Sequence, residues 1–298
     1  LRRLRQYFDG EQVLEVDTPA LSSAAASDVQ LESFEIGSML SSKPLFLNTS
    51  PEFCMKRLLA AGYPDIYSIC RVFRDGECGR RHQPEFTLLE WYRHDFELDE
   101  IIGDTLSVLA IALEEHTLRD IAIVRDYRDA FVAAARVDPI SASISELADA
   151  ADADTSLREA LGDERDDWLD LLLTSKVAPT FAVDQLTVLR HYPASQASLA
   201  QLCPRNPSVA DRFEVFMGTI ELANGYVELS DAAAQAKRIA GDQSQRLRRG
   251  RPRRHTDHAL IAALEAGLPS CSGVAIGIER LQMILENTDD IRDVVCFA

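Results

Sequence analysis

The chain has 298 residues, with 31 lysines and arginines against 48 aspartates and glutamates, for a formal net charge of −17. A hydrophobic fraction of 46% excludes a disordered chain, and the acidic balance argues against nucleic acid as the principal ligand, since such proteins carry a basic stripe. No apolar run approaches the roughly 18 residues of a membrane span and no signal peptide is visible, so the expected location is the cytoplasm, with no membrane partner.

Only four of the basic residues are lysine, namely Lys43, Lys56, Lys176 and Lys237, and aspartate outnumbers glutamate. Two readings stay open: adaptation to a saline cytoplasm, in which a carboxylate surface holds water, and the codon usage of a GC-rich genome. The cysteines, Cys54, Cys70, Cys78, Cys203, Cys271 and Cys296, show no Cys-x-x-Cys spacing and read as buried free thiols. His255 and His258 have no cysteine companions, which gives no zinc pattern. The chain opens on Leu1 without methionine, so a short native N-terminus is expected to be missing.

In chain order, residues 1–10 have helical spacing, and Val13 to Val16 reads as a short strand closed by Pro19. Residues 50–62 predict a helix started by Ser50 as cap, Pro51 in the first turn and Glu52. Ile66 to Arg74 predicts a strand. A polar, glycine-bearing loop follows, then a second strand from Glu85, together a hairpin with a mobile tip. Alternation puts Phe86, Leu88, Glu90 and Tyr92 on one face, as a pocket floor would require. Residues 98–116 and 126–136 predict helices, and 141–173 an acidic helical stretch without chemistry, read as a surface insertion. Strands are expected at Thr187 to Tyr192, Phe213 to Met217, Ile220 to Leu229 and Gly273 to Ile278. Helices are expected at 231–248, at 256–266 and from Glu279. Strands and helices mix without βα alternation and no phosphate loop occurs, so the fold class is α+β on an antiparallel sheet.

Three segments carry candidate chemistry. Arg74, at the end of its strand, suits either a structural salt bridge or a phosphate. Glu214, Glu221 and Glu228 recur every seven residues among apolar neighbours. They are either edge-strand carboxylates facing water or partners for magnesium carried on a nucleotide triphosphate. Their odd spacing requires a turn or bulge, expected at Asn224-Gly225. In the third segment two strand glycines, Gly273 and Gly277, precede Arg280 in the first turn of a helix. A cation there opposes the helix dipole, so a bound anion explains it better than stability does.

Together these segments resemble the catalytic domain of class II aminoacyl-tRNA synthetases. VLEVDTP at 13–19 resembles motif 1, CRVFRDGECGRRHQPEFTLLEWY at 70–92 motif 2, and SGVAIGIERL at 272–281 motif 3. TSPEFCMKRLL at 49–59 and ELANGYVEL at 221–229 are similar to the lysyl branch. HYPASQASLAQL at 191–202 is similar to the paralogues of that branch that modify elongation factor P. The resemblance runs from about residue 1 to residue 298. It implies an antiparallel sheet flanked by helices, with a helical insertion at about 137–180, and a single catalytic domain without an anticodon-binding domain.

The resemblance also implies roles. Arg74 and Arg280 would be the catalytic pair, holding the α- and γ-phosphates. Asp75, Gly76, His82 and Gln83 would belong to the ATP loop, Phe86 would stack on adenine, and Leu222 and Gly277 would line the nucleotide. Glu214 and Glu221 would bind Mg2+, Glu221 also touching ATP. Ser50, Pro51 and Glu52 would meet the amino end of the substrate, Asn224 its carboxylate region, and Glu90, Tyr92 and Glu228 its distal ammonium. Four positions depart from the pattern of lysyl-tRNA synthetases, the mildest being Glu279 where aspartate is common. Gly76 stands where glutamate is usual and Gln83 where asparagine is usual. Ala275 replaces a glycine, and its methyl, worth ~1–3 kcal/mol, should favour one shape of lysine over another.

The activity so implied is ATP-dependent formation of a lysyl or (R)-β-lysyl adenylate, then transfer to a lysine ε-amine of elongation factor P. A shortened lysyl-tRNA synthetase is the alternative, disfavoured because motif 1 begins too early for an anticodon domain. Motif 1 implies a homodimer. The cluster RLRRGRPRRH at 246–255 reads either as a solvated loop or as a docking patch for an acidic protein.

Overall fold

A computed structural model describes residues 1–39 and 41–297, and the chain divides into two compact units. The first comprises Leu1–Glu97 and the segment from Glu228 onward, and the second Leu98–Val227.

In chain order the first unit opens with α1 (Arg2–Gly10), β1 (Leu14–Glu15), β2 (Leu21–Ser22), β3 (Glu35–Ser38), β4 (Ser41–Leu47), α2 (Glu52–Ala60), β5 (Ile66–Phe73) and β6 (Glu85–His94). The second unit holds α3 (Leu98–Ala112), α4 (Thr117–Asp120), β7 (Ile123–Asp126), α5 (Tyr127–Ala135), α6 (Ile144–Ala150), α7 (Thr155–Leu161), α8 (Arg165–Leu172), β8 (Leu186–Pro193), β9 (Val209–Met217) and β10 (Ile220–Val227). The chain returns to the first unit with α9 (Ala232–Arg248), α10 (His258–Gly267), β11 (Cys271–Gly277) and α11 (Ile278–Leu285).

The first unit orders its main strands β1-β5-β6-β11, antiparallel except for the parallel β1–β5 pair. The second orders β10-β9-β8-β7, antiparallel except for the parallel β7–β8 pair. The class is therefore α+β with mixed sheets flanked by helices, the expected antiparallel pattern holding in the interior of each run. A small sheet, β2-β4-β3, was not expected, because its strands are short and lack a clean alternation.

Local signals account for the helix starts. Asp231 accepts from the backbone of Ala234, Asp257 from Ala259 and Leu260, and Ser143 and Glu146 form a reciprocal capping box. Pro51, expected in the first turn of α2, is instead its N-cap, and Ser50 Oγ accepts from Glu52 N at 3.4 Å.

In the first unit, Met55 and Leu59 of α2 and Leu260 and Leu264 of α10 pack with Ile66, Tyr92 and Cys271. In the second, Leu147, Trp168, Leu169 and Leu172 pack with Phe131, Leu189 and Phe216. The acidic 141–173 stretch is thus exposed on one side only, and its apolar side forms core.

Three expectations change. Of the six free cysteines, only Cys271 is buried, while Cys78 and Cys296 are exposed. The turn that separates Glu214 from Glu221 is the two-residue Gly218-Thr219 loop, with Gly218 at φ +56, and a bulge follows between Glu221 and Ala223. Asn224-Gly225 lies within β10. The arginine cluster is divided, with Arg248 and Arg253 exposed and Arg246 turned inward. Arg246 is fully buried and pairs with Glu32 at 2.6 Å, and Arg251 and Arg254 also reach Glu32. Neither a solvated loop nor a docking patch describes these three residues.

Candidate active site

In the first unit, α2, β6 and β11 bring a buried charge cluster together. Lys56 Nζ lies 2.7 Å from Glu52 Oε1 and 2.5 Å from Glu228 Oε2. The Tyr92 hydroxyl donates to Glu90 Oε1 at 2.7 Å, as the shared face of β6 predicted. Burial, joined by the charges of Glu52 and Glu228, pushes Glu90 up to about 8, with the Tyr92 hydrogen bond opposing. Burial also pushes Glu228 up to about 8, against the pull of Lys56. Burial disfavours the Lys56 charge, yet Glu228 and Glu52 overcome it and hold the ammonium above its ordinary value. Three carboxylates surround one ammonium, so the fully ionised cluster carries two unmatched negative charges. A buried site in that state attracts cations strongly.

One residue of this cluster, Lys56, was given no role in the sequence reading. Lys56 lies on the buried side of α2, and the only hint was its i,i+4 spacing from Glu52 in a lysine-poor chain. Gly273 pairs with Tyr92 across β6–β11. A Cβ there would lie 2.5 Å from both Glu228 Oε1 and the Tyr92 ring, so the cluster closes only over glycine. Ala275 stands opposite Glu90 two residues on. Ser50 and Pro51 precede α2 directly, and Pro51 is buried.

A second constellation in this unit is basic. The Arg74 guanidinium lies over the Phe86 ring, 5.0 Å from its centroid, with Nη1 3.6 Å from Glu77. Its Nε is buried without a hydrogen-bond acceptor, a donor that an anion would satisfy. Arg280 Nη2 lies 2.8 Å from His82 Nε2, so His82 accepts there. Burial, with Arg280 and Arg80 nearby, pushes the Arg81 guanidinium below its ordinary value. Such a gathering of cations calls for a polyanion. The loop between β5 and β6 is tied down. Gly79 and His82 pair across it, and Arg80 O accepts from Ile291 N. Gly76, the departure noted above, has φ +79, where glutamate would be strained. Asp75 N donates to Glu32 O, and Gln83 lies between the His82 turn and β6. Gly277 is the N-cap of α11, and Glu279 next to Arg280 accepts from Thr87 N and Oγ1. Glu279 thus holds the start of β6 to the helix that carries Arg280.

In the second unit Glu214 and Asn224 are cross-strand partners, and Glu221 lies beyond the bulge. Glu214 is buried. It accepts from Arg212 at 2.6 Å and from Tyr192 Oη at 2.6 Å, and Arg212 also donates to Asn224 Oδ1 at 3.3 Å. Burial and the neighbouring Glu221 charge push Glu214 up to about 7. A buried carboxylate whose ionisation a second carboxylate disfavours is a donor that a hard divalent cation relieves. Leu222 is buried at the bulge between them. Arg212 and Tyr192 were given no role in the sequence reading, although Tyr192 lies in the 191–202 run, because nothing local pairs that run with Glu214.

No thiol is placed as a nucleophile in these constellations. Burial pushes Cys70 up to about 11 and raises Cys54 and Cys271 as well.

Residues 1–298 match the family of class II tRNA synthetases that comprises the D, K and N types, and the chain belongs to that family. Among its relatives, it is 42% identical over 303 residues to the elongation factor P--(R)-beta-lysine ligase of Hamiltonella defensa subsp. Acyrthosiphon pisum (strain 5AT), with all of this chain and 92% of that protein covered. It is equally similar, at 42% over 303 residues and the same coverage, to the protein of that name from Klebsiella pneumoniae (strain 342). The identity is 41% over 303 residues, again with 100% and 92% covered, to the one from Salmonella typhi. Among the described residues no helix is long and apolar enough to cross a membrane.

Proposed function

We propose that the chain uses ATP to activate lysine or (R)-β-lysine and transfers the aminoacyl group to a lysine ε-amine of elongation factor P. One observation carries this reading. When fully ionised, the buried cluster of Glu52, Glu90 and Glu228 around Lys56 carries two unmatched negative charges, and a lysine-type substrate brings two ammonium groups. The names of the relatives supply the acceptor.

In the first step a substrate carboxylate oxygen attacks the α-phosphorus of ATP. The bond from that phosphorus to the bridging oxygen breaks, and pyrophosphate leaves. Arg74 and Arg280 would steady the phosphates, Phe86 the adenine, and His82 would hold Arg280 in place. Magnesium, arriving on the triphosphate, would be held by Glu214 and Glu221 and would offset charge on the phosphates. In the second step the acceptor's neutral amine attacks the acyl carbon, the bond to AMP breaks, and the amine gives up a proton. The protein's share is alignment and charge neutralisation, worth several kcal/mol when water is excluded. A translation factor as acceptor puts the reaction in the cytoplasm, and we take the active form to be a homodimer.

The test is incubation with ATP, Mg2+ and α-lysine or (R)-β-lysine, with and without elongation factor P, read by intact-protein mass and by pyrophosphate exchange. The expected result is exchange that depends on the amino acid, and a mass gain of one lysyl unit on the factor. Exchange with no mass gain, accompanied by acylation of tRNA, would overturn the choice of acceptor. No exchange with either amino acid would overturn the activity.

A further inference from the structure

His191, Cys203 and Asp211 bring one ligand atom each within 4.8 Å of one another in the second unit, on a part of it that the proposed activity does not use. His191 sits at the register shift of β8, opposite the start of β9, with φ +60. The bulge turns its ring out of the regular ladder and toward Asp211. Cys203 N donates to Val209 O and Asp211 N to Gln201 O, so a short antiparallel pairing holds these two residues together.

The ring's two nitrogens have different partners. Nδ1 lies 3.1 Å from Asp126 Oδ1, a carboxylate that only accepts, so Nδ1 carries the proton. In the neutral ring Nε2 presents a lone pair toward Asp211 Oδ1, 3.8 Å away. That distance is too long for a hydrogen bond. It is close to the roughly 3.5 Å that separates two ligands of one tetrahedral zinc ion with bonds of about 2.0–2.3 Å. Gln201 Nε2 lies 3.4 Å from the other Asp211 oxygen, and Arg190 Nε donates to Asp126 at 2.8 Å. Both the imidazole and the carboxylate are therefore oriented by outer partners, as metal ligands commonly are.

We infer that His191 Nε2, Cys203 Sγ and Asp211 Oδ1 form a binding site for a thiophilic divalent ion, zinc, with its fourth position open to water. A thiolate, an imidazole and a carboxylate favour zinc over the hard magnesium ion of the nucleotide. The ion would pin the bulge of β8 and the 201–203 segment to the first residues of β9, the strand that continues into Arg212 and Glu214.

Co2+ is added to untagged full-length protein stripped with a chelator, and the absorption spectrum is followed. The expected result is a thiolate-to-Co2+ charge-transfer band that saturates at stoichiometric metal and disappears on adding zinc. Cys203→Ser, close to isosteric, should abolish the band while the far-ultraviolet circular dichroism and pyrophosphate exchange stay unchanged. Asp126→Asn should weaken zinc binding by about 10–100-fold. A wild-type protein without the band, or a band that survives Cys203→Ser, would overturn the site.

Discussion

Glu90 is the residue on which the substrate cluster turns. Its Tyr92 partner can donate to it but cannot match its charge, so it stays protonated up to about pH 8 while no cation is bound. An entering ammonium would supply that charge and displace the proton. The KM for the amino acid should therefore fall as pH rises from 6 to 8, approaching about tenfold per unit, and level off above. The sign for stability is opposite. Between the ordinary carboxylate value and about 8 the folded protein binds a proton that the unfolded chain has released, so rising pH removes stability. Glu90→Gln should raise Tm relative to wild type by a margin that widens from pH 5 to pH 8. It should also cost on the order of 100-fold in kcat/KM for the amino acid. A constant Tm difference across pH would mean that Glu90 is ionised throughout. At Gly273 the argument is steric. Gly273→Ala puts a methyl 2.5 Å from Glu228 and Tyr92, and should destroy amino-acid-dependent exchange while nucleotide binding, followed by calorimetry, persists.

At the scale of elements, Arg246 is a central anchor of α9, beside the buried Gln235, Ile239 and Gln243. Arg246 is fully buried. It donates to Glu32 at 2.6 Å, to the carbonyls of Asp28 and Leu31 at 3.0 and 3.3 Å, and to Pro252 O at 3.2 Å. Only a guanidinium has donors enough for this set. Burial pushes Glu32 up, but Arg254 and Arg246 overcome it and hold its carboxyl below the ordinary value, so this contribution is lost as pH falls through that depressed value. Arg246→Ala should lower stability by about 3 kcal/mol, and Arg246→Lys should recover only part of it, as thermal unfolding at neutral pH would show. Arginines that read as a polar run along the sequence are here the link from α9 to the segment before β3. Spacing could not reveal this, because Glu32 lies more than 200 residues away.

For the whole molecule, a charge of −17 disfavours close approach of like surfaces, so a dimer must bury enough apolar area to overcome it. Light scattering at micromolar concentration is expected to give twice the chain mass, and to keep it from low to moderate salt. A monomer mass would remove the proposed dimer.

Much of the candidate site's local geometry was legible in one dimension because it lies in short local runs. The alternation of β6 put Glu90 beside Tyr92, and the β5–β6 loop placed Arg74 near Phe86, since strand and hairpin geometry follow from period and turn alone. The mixed order of predicted strands and helices likewise gave an α+β chain. What only the tertiary structure decided are the meetings between distant segments. These include Lys56 between Glu52 and Glu228, Gly273 against Tyr92, Tyr192 donating to Glu214, and Arg246 beneath Glu32. A side chain's charge state depends on what is packed around it, and packing joins residues that no local period relates. The same acidic letters are therefore solvated surface in one place and a desolvated cluster awaiting a cation in another.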